Sequence, residues 1–200
     1  MVDFNNKISI IIDRNLKKLG SKEFAKTRNR LISKGVISYG VKVGEIRRIV
    51  KKYFKQFQEK ETERSWLKVV KELMATKVLD DQMAGIFLLN LSLKTFEKVS
   101  ISEIEKLITR YIDNWATCDA ISSEVIAKVL KNSPEEIKIL YTWTKSENIW
   151  LRRTALVTTV KLKNKIKDWQ EVASKILSSF SKEKKPIVKK AVHWLEEEID

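Results

Sequence analysis

The sequence predicts an all-α fold built from stacked αα-hairpins, on three observations. Apolar residues recur at helical spacing over nearly the whole chain. Glycine and proline number only 5 and 2 among 200 residues, too few for the turns of a sandwich or barrel. In the C-terminal half, helix starts recur at a nearly constant period, the mark of a helical solenoid.

In the N-terminal half, helices are expected near 3–19, 22–34, 43–58, 62–76 and 79–97, with Gly20, Gly35, Gly40 and Gly44 in connections. The third is the most clearly patterned. Val43, Ile46, Ile49, Val50, Tyr53, Phe54 and Phe57 follow i, i+3, i+4 steps, and Arg47, Arg48, Lys51, Lys52 and Lys55 form a basic flank. Further on, first helices are expected to start near Ser100, Ser133 and Asp168, separated by 33 and 35 residues, and second helices near Asn114, Ser146 and Lys184, separated by 32 and 38. Ser100-Ile101-Ser102-Glu103 and Ser133-Pro134-Glu135-Glu136 fit capping boxes, the second with Pro134 at the first helical position. Pro186 is expected near the start of the last helix. The tetratricopeptide pattern W-x-x-L-G-x-x-Y is missing, so HEAT-like pairs fit better, with a concave face lined by the second helices. No linker divides the chain, which reads as a single helical-repeat domain over 1–200.

Hydrophobic residues make up 43% and charged residues 33% of the chain, a globular composition. Lys and Arg total 40 against 26 acidic residues, a net charge of +14 that favours a polyanionic partner. One cysteine, Cys118, excludes an internal disulfide, and one histidine, His193, leaves no Cys/His metal cluster; no cofactor is expected. Ile8–Ile12 is too short for a signal core and no segment approaches a membrane span, so a cytoplasmic protein is expected.

Three segments carry candidate chemistry. In Asn114-Trp115-Ala116-Thr117-Cys118-Asp119, Trp115 and Asp119 are one helical turn apart, and Asp119 borders an apolar stripe of Cys118, Ser122, Val125 and Val129. In Asn148-Ile149-Trp150-Leu151-Arg152-Arg153, two arginines fall in the first turns of a second helix; Arg153 is placed to meet a phosphate or Asp119, or to make an ordinary surface pair. Lys189-Lys190-Ala191-Val192-His193-Trp194 carries a tryptophan whose bland fate is the core, and His193 receives no role.

The order W-x-x-x-D, N-I-W-L-x-R, K-A-[VI]-x-W, preceded by Tyr39-Gly40-Val41-Lys42-Val43 and Arg47, resembles the AlkD-type DNA alkylation repair glycosylases, a HEAT-like repeat family. The resemblance covers nearly the whole chain. It implies that Trp115 and Trp194 line the lesion, that Asp119 is the catalytic carboxylate, and that Arg153 holds DNA at the site. Gly44 stands where a proline is common and His193 where a glycine is usual, and the tail ends in Glu196-Glu197-Glu198. The implied substrate is duplex DNA containing alkylated bases, acted on by a monomer with no obligate protein partner and without base extrusion. Phosphate contacts are expected among Lys42, Arg47, Arg48, Lys51, Arg152, Lys161, Lys163, Lys165, Lys185, Lys189 and Lys190, with steep salt dependence.

The residue types suit that chemistry. A purine alkylated at N3 or N7 is cationic and leaves without a general acid, so one carboxylate suffices to stabilise the oxocarbenium-like sugar and orient water. Aromatic faces also favour a cationic nucleotide. Two alternatives stay open at this level: a non-catalytic paralogue that recognises bent or branched DNA, and a protein-interaction scaffold.

Overall fold

The computed structural model describes residues 4–32, 35–59, 62–96 and 99–199. Every regular element among them is helical, as the sequence predicts. Contacts cluster into two compact units, Met1–Ser100 and Ile101–Asp200, a subdivision that no linker composition marks in the sequence.

The first unit holds α1 (Phe4–Leu19), α2 (Lys22–Leu31), α3 (Val43–Phe57), α4 (Glu63–Ala75) and α5 (Leu79–Phe96). The central helix is α5, which packs on α1, α3 and α4. Its sequence is apolar on nearly all sides, the composition of a helix enclosed by others. On α3, Ile46, Ile49, Val50 and Phe54 are buried while Arg47, Arg48, Lys51, Lys52 and Lys55 are exposed, as its pattern dictates. Val43, expected on the apolar face, lies exposed at the first position. Gly44 lies inside the first turn of α3 and not in the preceding connection; amides there have no intrahelical partner, so the glycine interrupts little. The expected end of α2 at residue 34 falls partly on 33–34, outside the described residues.

The connection from α2 to α3 is held from below by a buried carboxylate. Asp80 is fully buried and accepts hydrogen bonds from Arg28 Nη1 (2.6 Å), Ser38 Oγ (2.7 Å), Tyr39 N (2.7 Å) and Val41 N (2.9 Å). Arg28 Nη2 donates to the Val41 carbonyl (2.6 Å), so charge and backbone are both satisfied. Gly40 takes φ +77°, and a Cβ there would lie 2.2 Å from the Ser21 carbonyl oxygen and 2.6 Å from Ala25 N. Gly40→Ala is therefore expected to cost about 3 kcal/mol, from strain and a contact with immobile backbone, read as a lower urea midpoint.

Asp81 faces a different problem. The Tyr39 hydroxyl lies 2.6 Å from Asp13 Oδ1 and 3.3 Å from Asp81 Oδ2, and it has one proton for two carboxylates. Burial, then the charge of Asp13, pushes Asp81 up to about 7. A carboxyl raised in the folded state contributes stability below its unfolded value, about 3.9, and loses it as pH rises through the folded value. Asp81→Asn, which supplies the missing donor without charge, is expected to stabilise the protein by about 2–4 kcal/mol at pH 8.5 and by much less at pH 5. Unfolding by urea at the two pH values measures the difference.

The second unit holds α6 (Ile101–Tyr111), α7 (Trp115–Ile121), a π turn (Ser122–Ile126), α8 (Ala127–Asn132), a 3₁₀ turn (Pro134–Ile137), α9 (Lys138–Trp143), α10 (Ile149–Leu162), α11 (Trp169–Ser178) and α12 (Pro186–Ile199). The helix starts follow the expected period, and α9 packs on α10 and α11 on α12, whereas α6 packs on α10. Pro186 opens α12. One expected cap differs. Ser133 makes no side-chain cap; its carbonyl accepts from Glu136 N instead (3.0 Å), closing the 3₁₀ turn. α10, expected to start near Ser146, starts at Ile149 and is capped by Asn148, whose Oδ1 accepts from Trp150 N (2.8 Å) and Leu151 N (3.3 Å).

The core of this unit forms around α10, which contacts α6, α7, the π turn, α8, α9, α11 and α12. Surrounded in this way, α10 buries Leu151 and residues on every side from Arg153 to Val160. It runs parallel to α12, because Arg153, Lys161 and Lys163 meet Ile187, Trp194 and Glu198 in ascending order.

Candidate active site

One buried charge organises the second unit. Among its described residues Arg153 is the only charged side chain in the buried class, and a buried guanidinium is stable only when paired. Arg153 Nε and Nη2 donate to Asp119 Oδ1 and Oδ2, both at 2.8 Å, and Nη1 donates to the Ile187 carbonyl at 2.5 Å. This planar fork ties α7, α10 and α12 at one point. The Arg153 side chain is 7% exposed and that of Asp119 22%, so the carboxylate keeps an open edge. Of the partners left open by the sequence, the guanidinium takes Asp119.

Local sequence explains why the carboxylate stands there. Asn114 caps α7, its Oδ1 accepting from Thr117 N (3.1 Å), and Trp115 is the first helical residue, 36% exposed. Asp119 follows one turn later, on the same face. Behind it, the Cys118 Sγ is buried 3.3 Å from Thr154 Oγ1; burial pushes the thiol up to about 12, so it is a packing residue and not a nucleophile.

After Asp119 the helix widens into the π turn, where Ala127 N–H reaches back to the Ser122 carbonyl. The turn inserts one residue into the helical register. Cys118, Ser122 and Val125 are buried as expected, but Leu130 takes the fully buried place expected of Val129. The hydroxyls of Ser122 and Ser123 donate to the carbonyls of Cys118 (2.7 Å) and Asp119 (2.9 Å), satisfying acceptors at the register change.

Trp194 sits on α12 seven residues beyond Ile187, about 10 Å along the helix axis from the carbonyl that holds Arg153. Its half-buried indole lies beneath the Lys161 ammonium, 4.3 Å from the ring centroid. Lys163 Nζ pairs with Glu198 (3.1 Å) on the same helix. Trp115, Asp119 and Arg153 thus share one locus, and Trp194 is joined to it through α12.

The other candidates divide by what already engages them. Lys185, Lys189 and Lys190 are exposed around the first turns of α12, and Lys165 is exposed after α10. Arg152 pairs with Glu183 (2.8 Å). In the first unit, Lys42 is the exposed N-cap residue of α3 and Lys51 lies on its exposed face. Arg48 pairs with Glu45 (2.5 Å), and the Arg47 guanidinium lies 3.9 Å from the Phe87 ring centroid. His193 faces Glu196 and Glu197 at 3.6 and 3.4 Å. No group of three or more His, Cys, Asp or Glu side chains among the described residues is arranged to hold a metal. No helix among them is long and apolar enough to cross a membrane.

Sequence reading missed Glu183, the Ile187 carbonyl and Asp80. The first two carry no motif. Asp80-Asp81 did leave a signal, two adjacent carboxylates at the start of an otherwise apolar helix.

A family model described as DNA alkylation repair enzyme matches residues 12–198. The chain belongs to the DNA alkylation repair enzyme family. The match runs through both units, so the Asp80-held connection and the Asp119–Arg153 pair both lie within the span of this repair-enzyme family. No curated protein matches the sequence.

Proposed function

We propose that this DNA alkylation repair protein is a monofunctional glycosylase that hydrolyses the N-glycosidic bond of cationic N3- or N7-alkylated purines in duplex DNA. The observation that carries the reading is a carboxylate fixed by both oxygens to a buried arginine, one turn from a half-exposed tryptophan, with an edge open to solvent. A guanidinium fork fixes the plane of the carboxylate, and a fixed charge stabilises a developing cation without reorganisation.

The reaction balances without a cofactor. The C1′–N9 electron pair leaves with the purine and neutralises its ring charge. Positive charge develops at C1′ against Asp119, water adds its oxygen there, and the water proton passes to the carboxylate and on to solvent. Trp115 and Trp194 present ring faces to the deoxyribose and its neighbours. Lys185, just before α12, and Lys189 and Lys190 in its first turns are exposed and are the phosphate contacts proposed in this unit. A net charge of +14 supports duplex binding; in this reading the protein acts as a monomer in the cytoplasm and nucleoid.

Incubation with N-methylated duplex DNA tests the reading: free 7-methylguanine and abasic sites are expected together. Binding to the duplex without either product would instead favour a non-catalytic DNA-binding protein.

A further inference from the structure

Arg152 and Arg153 are chain neighbours with different tasks. Arg152 was a candidate phosphate contact on sequence grounds, yet its donors are already committed. Nε and Nη2 donate to Glu183 Oε2 and Oε1 (2.8 and 3.4 Å), and Nη1 donates to the carbonyls of Ser146 (2.8 Å) and Glu147 (3.1 Å). A guanidinium has five N–H groups, so at most one is left for an outside anion. The side chains of Arg152 and Glu183 are 15% and 9% exposed.

Glu183 does a second job. Its Oε1 also accepts from the backbone N–H groups of Lys184 (3.0 Å) and Lys185 (2.8 Å), and the Lys185 carbonyl accepts from Val188 and Lys189 as α12 begins. Burial acts to raise the Glu183 carboxyl, but the Arg152 and backbone hydrogen bonds outweigh it and hold it below its ordinary value. The pair therefore joins the segment before α10, the first turn of α10 and the entry to α12. Two residues into α12 lies the Ile187 carbonyl that receives Arg153, and two turns further lies Trp194.

We infer that Arg152 and Glu183 are positioning residues, which set α12 against α10 so that Trp194 is in register with the Asp119–Arg153 pair. The inference rests on the glycosylase reading for its kinetic consequence, and on the geometry alone for its structural one. Arg152 does not contact the DNA backbone.

Three variants test it on the full chain: Arg152→Gln, Arg152→Lys and Glu183→Gln. Release of 7-methylguanine from methylated duplex is expected to lose about 10- to 100-fold in kcat in all three, with KM little changed, because displaced groups misalign the reacting centre. Arg152→Lys is informative because it keeps the charge but not the fork; a phosphate contact predicts near-normal behaviour, a positioning role predicts loss. The salt dependence of duplex binding gives the second readout. Loss of one phosphate contact reduces the slope of log K against log salt by about 0.9, whereas the wild-type slope is expected in every variant. A reduced slope for Arg152→Gln, or undiminished kcat for both Arg152→Gln and Glu183→Gln, overturns the inference. Should the wild-type protein release no base, the glycosylase reading fails separately, and the indole N–H resonance of Trp194 decides the positioning claim. Displacement of that resonance in Glu183→Gln supports it, and an unmoved resonance refutes it.

Discussion

Asp119→Asn is expected to lower the rate of purine release by about 10²- to 10³-fold while leaving the affinity for duplex DNA nearly unchanged, a loss of the size produced by removing one preorganised electrostatic group. The substitution keeps the shape of the side chain and removes its charge. It also sets an amide N–H against the Arg153 fork, where the carboxylate accepted two hydrogen bonds at 2.8 Å. The proposed phosphate contacts are other residues, so binding and chemistry are expected to separate. Single-turnover release at saturating protein, beside a binding isotherm at the same salt, measures both. Equal release rates for the variant and the wild type would remove Asp119 from the chemistry.

The second large effect is on stability. Asp119→Ala leaves the Arg153 guanidinium, 7% exposed, without its anion, and breaking such a pair from one side costs about 3 kcal/mol or more. Arg153→Met added to Asp119→Ala removes the orphaned charge and is expected to recover about 2 kcal/mol of that loss, the coupling typical of residues in direct contact. Urea unfolding of the wild type, both single variants and the double variant closes the cycle. Additive effects would show that the fork contributes nothing to the packing of α7, α10 and α12.

These effects depend on features of unequal legibility. The α3 pattern was readable from Ile46 onward, because an exposed helix displays its burial as a sided sequence, and it failed only at the first turn, where Val43 is exposed. The helix after Asp119 was readable only as far as the π turn. Periodicity presumes a constant register, and one extra residue exchanged Val129 for Leu130 in the core. On α10 the pattern has no sides, since the helix is enclosed, so burial of Arg153 and not Arg152 could not be told from spacing. Two arginines about 100° apart on a helix meet different neighbours. Which neighbours they meet depends on α12, whose entry is set by Glu183, a residue without a motif. Trp115, Asp119, Arg153 and Trp194 were picked out by ordered resemblance to a family, and the match to residues 12–198 places the chain in DNA alkylation repair. The Gly44 and Ser133 expectations failed for local reasons: a helix tolerates glycine among its first unbonded amides, and a backbone acceptor replaced a side-chain cap.

The most direct measurement is a time course with the wild-type protein and a duplex carrying a single 7-methylguanine, beside the same duplex with guanine. A carboxylate with no acid partner acts only on a purine that already carries charge, so free 7-methylguanine should appear in step with abasic sites and guanine should stay attached. Tight binding of the methylated duplex with neither free base nor abasic site after many hours would contradict the account.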